Sequence, residues 1–366
     1  MNSPHNKSVD QELNEREKFI LGHIIENFVS NATPVSSKLI AKTSELRLSS
    51  ASIRNVMYNL EQRGYIDQPH TSAGRTPTDK GYRFYVDRLM SSGSLTRRVK
   101  RQIVDGMERM SQDVGVVLEA ASDTLASISN QLGVVLAPRF YQGVFERMEL
   151  VPIARKRILA VLSIKSGLVK TITMELENDI SRDKLDETAR VINERLHGLT
   201  LQEIKETVDA RLRDVANGDA SFVDLVVASS KFLFDVSPAM DLHIKGATNI
   251  MTQPEFQHQD KIREISGLLD DREILVHILN QPEAGNEDED EVEEAASHIR
   301  ITIGEENTED FIQHCSLITA SYNVGDISGK IGVLGPTRMD YSRIVTLVDY
   351  MGKALSETLT GKGITN

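Results

Sequence analysis

The first ninety residues contain apolar positions spaced for short helices that each bury one face. From Leu21 to Phe28, apolar side chains recur at i, i+3, i+4 and i+7, the spacing of an amphipathic helix. Asn14 precedes this run with Glu17 three positions later, a variant of the capping box that begins a helix. The pattern predicts a first helix over 13–30, ending before a Thr-Pro pair.

Two further helices are predicted before the chain changes character. Ser36 is placed to cap a short second helix with Leu39 and Ile40 on its inward side. Ser49 caps a third helix that runs to Arg63, where a glycine stops it. On this third helix the apolar spacing predicts one buried face, formed by Ile53, Val56, Met57 and Leu60.

An extended, turn-like segment rich in Pro, Gly, Ser and Thr follows at 65–78. Three short helices followed by a small β-hairpin are typical of a winged helix-turn-helix module. A further helix, from Thr78 to Met90, leads out of the module, and the Ser/Gly segment 91–94 is the best linker candidate in the chain. The sequence therefore predicts a winged-helix domain over 1–90.

Beyond this linker, apolar residues recur at near-heptad spacing from Ile103 to Ile128, which predicts one long amphipathic helix. Gly106 and Gly115 argue against an unbroken coiled coil. Two interpretations stay open from the residues alone. The helix packs on its own domain, or it forms the seam of a dimer.

Strand-like runs interrupted by a helical block are typical of an α+β domain with a second domain inserted into it. Strands are predicted at 133–137, 157–164, 169–176, 299–303, 316–322 and 329–334, before a last helix with its apolar face at 344–355. A charged, helix-rich block at 179–215 interrupts these strands, and mixed sequence follows it as far as 246. We therefore expect an α+β body over 91–178 and 247–366, interrupted by an inserted domain at 179–246.

Composition adds a charge asymmetry to this picture. The 366-residue chain has a formal net charge of −12, but residues 1–101 hold sixteen Lys and Arg against ten Asp and Glu, a balance of +6 that leaves −18 for the rest. A basic end on an acidic body suggests a nucleic-acid-binding module. The acidic run 283–294 is expected to be a solvated loop.

Apolar runs and cysteine content indicate the cellular compartment. No apolar run reaches membrane-spanning length and no apolar signal core opens the chain, so we expect a cytoplasmic protein. A single cysteine, Cys315, excludes an intramolecular disulfide and fits a reducing compartment. The nine histidines show no ligand-like spacing, and we expect no metal and no cofactor.

The outward face of the third helix carries the chemistry of base recognition. Opposite the apolar stripe lie mostly side chains that can bond base edges or phosphates, none of them acidic: Ala51, Ser52, Arg54, Asn55, Tyr58, Asn59 and Gln62. Arg suits guanine and Asn suits adenine, because each can form two bonds at once, and a recognition helix reads bases mainly with its N-terminal part. Ser52, Arg54 and Asn55 are therefore the first candidates for base contacts.

Other residues of the module are candidates for phosphate contacts. Small residues at the hairpin tip, 70–75, let backbone N–H groups approach a phosphate, and Arg75 could follow the phosphates or enter the minor groove. Lys80 and Arg83 after the hairpin are similar candidates. The complete predicted interface comprises Lys38, Lys42, Ser49, Ser50, Ser52, Arg54, Asn55, Tyr58, Asn59, His70, Thr71, Ser72, Arg75 and Lys80.

Six sequence blocks, in order from one end of the chain to the other, carry a family resemblance. They are 49–57 (SSASIRNVM), 68–75 (QPHTSAGR), 81–86 (GYRFYV), 249–256 (NIMTQPEF), 303–307 (IGEEN) and 335–341 (GPTRMDY). Together they resemble the heat-inducible transcription repressor family, HrcA. The acidic run 283–294 is no part of that pattern.

This resemblance implies a function and an architecture. It implies a bacterial repressor of heat-shock (chaperone) operons that binds double-stranded DNA at an inverted-repeat operator, called CIRCE, as a homodimer. It also implies that the body is a GAF-like domain interrupted by an inserted dimerising domain. Activity would be maintained by a GroEL-type chaperonin.

Two other classes of protein are alternatives to a repressor. An enzyme is disfavoured because Gly329, Gly332 and Gly335 do not have dinucleotide-binding spacing, and because His314 and Cys315 are strand neighbours that point to opposite faces. The alternative with the same DNA module is a winged-helix regulator controlled by a small molecule bound in the GAF-like domain. We expect no catalytic activity.

Overall fold

The structure is a computed structural model. It describes residues 12–44, 48–71, 73–108, 114–175, 180–212, 242–281 and 299–360. The acidic run 283–294 and Ser72 lie outside the described residues, as does part of the predicted insert. No helix in the described ranges is long and apolar enough to cross a membrane.

The N-terminal region forms the short helices and the hairpin that the apolar spacing predicts. Its elements are α1 (Glu15–Asn31), α2 (Ser37–Thr43), α3 (Ser50–Gln62), β1 (Ile66–Asp67), β2 (Thr76–Pro77) and α4 (Asp79–Phe84), which continues as one π-helical turn to Leu89. Strands β1 and β2 pair antiparallel. We call residues 12–90 the N-terminal module.

The polar residues predicted to begin these helices do so. Asn14 Oδ1 accepts from Glu17 N at 3.0 Å while Glu17 Oε2 accepts from Asn14 N, which completes a capping box. Ser36 caps α2 and Ser49 caps α3. One prediction for α2 is wrong: Ile40 is buried, but Leu39 is 37% exposed. Adjacent helical residues point about 100° apart, so a helix of two turns buries only one of them.

The predicted long helix is instead two helices, α5 (Arg97–Glu108) and α6 (Val114–Ser129), which pack against each other. The contact is close at Gly106, where a Cβ would lie 2.7 Å from Thr124 Oγ1. A glycine here permits close packing rather than merely weakening one helix. The apolar stripes of both helices, including Ile103 and Leu125, are buried within the chain itself. The structure thus supports packing on its own domain over a dimer seam.

The rest of the chain forms eight strands and six helices within the described ranges. In chain order they are β3 (Leu132–Leu136), β4 (Phe145–Ala154), β5 (Arg157–Ile164), β6 (Val169–Glu175), α7 (Arg182–Leu196), α8 (Leu201–Leu212), β7 (Leu242–Lys245), α9 (Ala247–Met251), α10 (Gln259–Asp270), α11 (Arg272–Asn280), β8 (Arg300–Ile303), β9 (Cys315–Val324), β10 (Ile327–Pro336) and α12 (Tyr341–Leu359). The fold is a mixture of helix and sheet, as predicted.

A five-stranded antiparallel sheet, in the order β7-β3-β10-β9-β8, is the centre of the body. Alternate residues of its strands enter two separate apolar clusters, because successive side chains point to opposite faces. Val135 and Ile331 belong to the cluster that includes α6 and α12. Val134 and Leu334 belong to the cluster that includes α10 and α11. Both faces of this sheet are therefore covered by helices.

A second sheet, in the order β4-β5-β6, lies between the two halves of the first along the chain. The chain leaves the five-stranded sheet at Leu136 and returns to it at Leu242. Helix α7 packs on β4, where Asn193 accepts from Met148 N at 2.7 Å and donates to Met148 O at 3.0 Å. We call residues 145–212 the intervening unit.

This topology differs from the expected boundary at 178/179. The strands predicted at 157–164 and 169–176 exist, but they belong to the sheet of the intervening unit rather than to the sheet of the body. Strand β4 was not predicted, because its exposed and buried positions alternate irregularly around Pro152. A period of two identifies a strand, but it does not identify the sheet that the strand joins.

Candidate nucleic-acid interface

Helix α3 presents two faces of opposite character. Ile53, Met57 and Leu60 are buried against the rest of the module. The other face is exposed to solvent and carries Ala51, Arg54, Asn55, Tyr58, Asn59 and Gln62. Tyr58, 56% exposed, is the most exposed large apolar side chain among the described residues. The described part of the chain places no other element over this polar face, so its side chains are available to a ligand.

Three serines organise the beginning of α3. Ser49 Oγ accepts from Ser52 N at 3.1 Å and lies 3.0 Å from Ser52 Oγ, so this pair fixes the first turn. Ser50 Oγ lies 2.9 Å from Ser37 Oγ and joins α3 to α2. Ser50 therefore holds the two helices together, whereas Ser49 is exposed at the helix end. The N-terminus of a helix carries a partial positive charge that suits a phosphate.

The predicted lysines lie at the surface of the module. Lys38 and Lys42 are exposed on α2, which has no acidic residue in its first turn. Lys80 is exposed at the start of α4, and its Nζ lies 4.6 Å from the centroid of the Tyr65 ring. A cation held over an aromatic face keeps its charge at the surface. All three lysines can face a polyanion.

The described residues of the hairpin tip are linked by backbone and side-chain hydrogen bonds. His70 and Thr71 are exposed, and Ala73 N donates to His70 O at 2.8 Å. Gln68 Nε2 donates to Thr71 O and to Ala73 O, each at 3.0 Å. The sequence did not predict this role of Gln68, whose single side chain binds two backbone carbonyls of the tip.

Arg75 is engaged inside the module. Its Nη2 lies 2.8 Å from Glu61 Oε2, and only 17% of the Arg75 side chain is exposed. Its backbone forms two hydrogen bonds with Val35, in which Arg75 N donates to Val35 O and Val35 N donates to Arg75 O, each at 2.8 Å. A Cβ on Gly74 would lie 2.5 Å from the Val35 carbonyl, so glycine allows this close approach. Arg75 thus connects the hairpin to α3, a role that differs from the expected phosphate contact.

Arg83 is also occupied by partners within the chain. Its guanidinium binds Glu306 in the body and lies 3.2 Å from Asp87. A phosphate contact by Arg83 stays a prediction. For the ion pair between Arg75 and Glu61, the sequence did contain a signal, since Glu61 is the single acidic residue of α3.

The described residues contain no cluster of His, Cys, Asp or Glu able to hold a metal ion. The Cys315 thiol is buried, and burial raises its pKa to about 12, which keeps it protonated. The exposed face of α3 thus presents hydrogen-bonding side chains and the cation of Arg54, with no carboxylate among them.

Comparison with known proteins identifies the family. A family model described as the HrcA protein C terminal domain matches residues 115–345. A heat-inducible transcription repressor HrcA from Chlorobium phaeobacteroides (strain BS1) is 42% identical over 356 residues, which cover 95% of this chain and 99% of the relative. The relative of the same name from Prosthecochloris aestuarii (strain DSM 271 / SK 413) is 42% identical over 363 residues, 97% of this chain and 99% of the relative. The chain belongs to the HrcA family.

The HrcA family model begins within α6, whereas the full-length relatives also align with most of the N-terminal module. A crystal structure at 2.2 Å, of a protein described as hypothetical, has the same fold as this HrcA chain. Its TM-score is 0.66 at 23% sequence identity, over 96% of this chain and 100% of the other.

Proposed function

We propose that the protein is a DNA-binding transcriptional repressor of heat-shock (chaperone) operons, which binds an inverted-repeat operator of the CIRCE type as a homodimer. The observation that carries the proposal is the exposed face of α3. It presents Arg54 and Asn55 near the N-terminus of the helix, and the single acidic residue of α3, Glu61, is paired with Arg75. The names of the HrcA relatives support the same function.

The module has the form of a winged helix-turn-helix, in which α3 is the recognition helix and β1 and β2 form the wing. Arg54 is suited to guanine and Asn55 to adenine in the major groove. Lys38, Lys42 and Lys80 provide charge around this face and favour phosphate contacts, which set affinity and register rather than sequence choice. The role of the module is binding, without catalysis.

A homodimer fits the chemistry of the intervening unit. Val151 and Val169, 41% and 46% exposed, lie on the face of β4 and β6 turned away from the helices of the unit, and Ile153, 50% exposed, lies at the β-bulge beyond Val151. Exposed apolar positions on one sheet face favour burial against another protein surface. A two-fold dimer joined by this sheet face would place two modules on the two halves of an inverted repeat.

The architecture of the body supports a GAF-like description, because an antiparallel sheet is covered by helices on both faces. The resemblance to the HrcA family supports a GroEL-type chaperonin as the partner that maintains activity, and a cytoplasmic location. We infer this partner from the family alone. Control by a small molecule bound in the GAF-like domain stays the alternative.

A footprint on the DNA upstream of the protein's own gene tests the proposed function. We expect protection of two symmetric half-sites, with centres separated by about 34 Å or a multiple of it. The matched control is the same fragment with one half-site scrambled, which should reduce protection of both halves. Protection that ignores the scrambled half-site, or none at all, would contradict an inverted-repeat operator.

A further inference from the structure

Three of the sequence blocks that carry the family resemblance lie outside the N-terminal module, at 249–256, 303–307 and 335–341. They are far apart along the chain, yet the structure brings side chains or backbone of all three to one surface beside α1 and α4. We call this contact between the module and the body the junction. Its contacts explain what these blocks do, which the DNA interface does not.

The first part of the junction is built on Arg83 of α4. Its Nε donates to Glu306 Oε1 at 2.8 Å, its Nη2 donates to Glu306 Oε2, and the same Nη2 donates to Ile301 O at 2.7 Å. Glu306 is held in place by Ile303 N, which donates to its Oε2 at 2.9 Å. A guanidinium bound by both oxygens of one carboxylate has a fixed orientation as well as a fixed distance.

The backbone turn that carries Glu306 is shaped to meet the module. Glu305 N donates to Asp79 Oδ2 at 3.0 Å. Gly304 has φ +55°, and a Cβ at this position would collide with the Asp79 carboxylate. The buried Asn307 side chain donates to Gly304 O, Ile312 O and Cys315 O at 2.9–3.1 Å. Hydrogen bonds from Asn307 therefore hold the turn on the body side, and the glycine at 304 leaves room for the Asp79 carboxylate of the module.

A second part of the junction lies at the end of α1. Arg338 Nη1 donates to Val29 O at 2.9 Å, while its Nε and Nη2 bind the carboxylate of Glu255. Helix α1 has no basic residue in its own last turn. Arg338 of the body supplies the cation that the negative C-terminal end of that helix favours.

Between these two parts, two buried tyrosine rings form the contact. The rings of Tyr82 and Tyr341 lie 5.7 Å apart, and both side chains are buried. The predicted linker is packed as well: Ser342 Oγ donates to Ser91 O at 2.8 Å, and a Cβ on Gly93 would lie 2.8 Å from Ser342 O. The module is thus fixed on α1, on α4 and on the chain that leaves it, while the polar face of α3 stays exposed.

We propose that the junction sets the angle of the recognition helix to the body, so that Arg83, Glu306 and Arg338 are positioning residues for operator spacing. The inference rests on the proposed function, because it needs a dimer on an inverted repeat. One added base pair moves a half-site by about 3.4 Å along the axis and by about 35° around it. A module on a flexible linker would follow that movement, whereas a module fixed at the junction cannot.

The test compares Glu306→Gln with Glu305→Gln in the full-length protein. Both remove one negative charge at adjacent positions, but Glu305 gives the junction its backbone N–H and Glu306 gives its carboxylate. Affinity is measured for one half-site, for the native operator and for operators with one or two base pairs added between the half-sites. Circular dichroism checks the fold of each variant.

We expect the parent to bind the altered operators at least about tenfold more weakly than the native one. This loss is comparable to that caused by one mismatched base pair in a binding site. Glu306→Gln should bind the single half-site like the parent while its preference for native spacing falls at least about threefold. Glu305→Gln should keep the parent's preference. Arg338→Gln should act in the same direction as Glu306→Gln, and the exchange Arg83→Glu with Glu306→Arg should restore part of the preference.

The outcomes separate the two proposals. An unchanged spacing preference in Glu306→Gln, with normal operator binding, would overturn the role of the junction and leave the proposed function standing. An equal loss in Glu305→Gln would also overturn it, because charge alone would then be the cause. A parent that binds neither the half-site nor the operator would overturn the proposed function itself.

Discussion

Arg75 and Glu61 form an ion pair that joins the hairpin to the last turn of α3. Both Nε and Nη2 of Arg75 donate to the same oxygen, Glu61 Oε2, at 3.1 and 2.8 Å. The two residues are separated by the turn at Gly64 and by strand β1. The pair holds the hairpin against α3, and it neutralises the single carboxylate of that helix.

The first prediction is that Arg75→Ala acts through the shape of the module. Losing this half-buried pair should reduce the free energy of unfolding by about 1–2 kcal/mol. The slope of log affinity against log salt should stay that of the parent, because no phosphate contact is lost. Glu61→Gln is the matched variant and should lower stability in the same direction. A slope reduced by about one ion in Arg75→Ala would instead show a direct phosphate contact.

The second prediction concerns pH and the junction. Burial and the nearby Glu305 and Glu306 raise the pKa of Asp79 above its usual 3.8, although the hydrogen bond from Glu305 N opposes this. The folded protein therefore takes up this proton at a higher pH than the unfolded chain. As pH falls through the raised pKa, the contribution of Asp79 to the free energy of unfolding increases, and it becomes constant below about pH 3.8.

Asp79→Asn removes that titration while keeping an oxygen that can accept from Glu305 N. Denaturant unfolding of parent and variant over mildly acidic to neutral pH should show a stability difference that changes with pH in the stated direction. A difference independent of pH would show that Asp79 has its ordinary pKa in the folded protein. Asp310→Asn, at a residue outside the junction, serves as the control.

The third prediction uses the single cysteine as a probe of the body. Cys315 is fully buried at the start of β9, and its raised pKa disfavours the reactive thiolate. A thiol reagent should therefore leave the native protein unmodified at neutral pH and react once heat or denaturant opens the body. Rapid labelling of the folded protein would contradict the buried position of β9.

The fourth prediction places the dimer on the intervening unit. Ile153→Asp puts a charge at the β-bulge beside the exposed apolar sheet face and should shift the protein from dimer to monomer in light scattering. Val116→Asp makes the same kind of change at an exposed valine of α6 and should leave the dimer intact. A dimer that survives Ile153→Asp would place the seam on another surface.

Helix starts and apolar faces could be predicted from the sequence, because each depends on residues a few positions apart. Asn14, Ser36 and Ser49 begin helices because their side chains satisfy backbone N–H groups that the helix leaves open. The apolar stripe of α12 and the body strands β3, β8, β9 and β10 follow from their periods in the same way, whereas β7 was not predicted. These signals involve residues a few positions apart.

Relationships between distant residues could not be predicted in this way. The partner of Arg75 is 14 positions away, and the partner of Arg83 is 223 positions away. An arginine suited to a phosphate is equally suited to a carboxylate, so its residue type does not decide which one it binds. Likewise, alternation predicts strands β5 and β6 but gives no information on the sheet that they join.

The central claim, that the face of α3 reads the operator, is tested most directly by the fifth prediction. Affinities for the operator and for random DNA are measured for the parent, Arg54→Ala, Asn55→Ala and the control Gln62→Ala, which lies at the C-terminal end of α3. Arg54→Ala and Asn55→Ala should each lose about 1–3 kcal/mol of operator affinity, with the circular dichroism of the parent. Gln62→Ala should discriminate operator from random DNA as the parent does. If Arg54→Ala and Asn55→Ala kept the parent's discrimination, α3 would not be the reading helix and the account would be wrong.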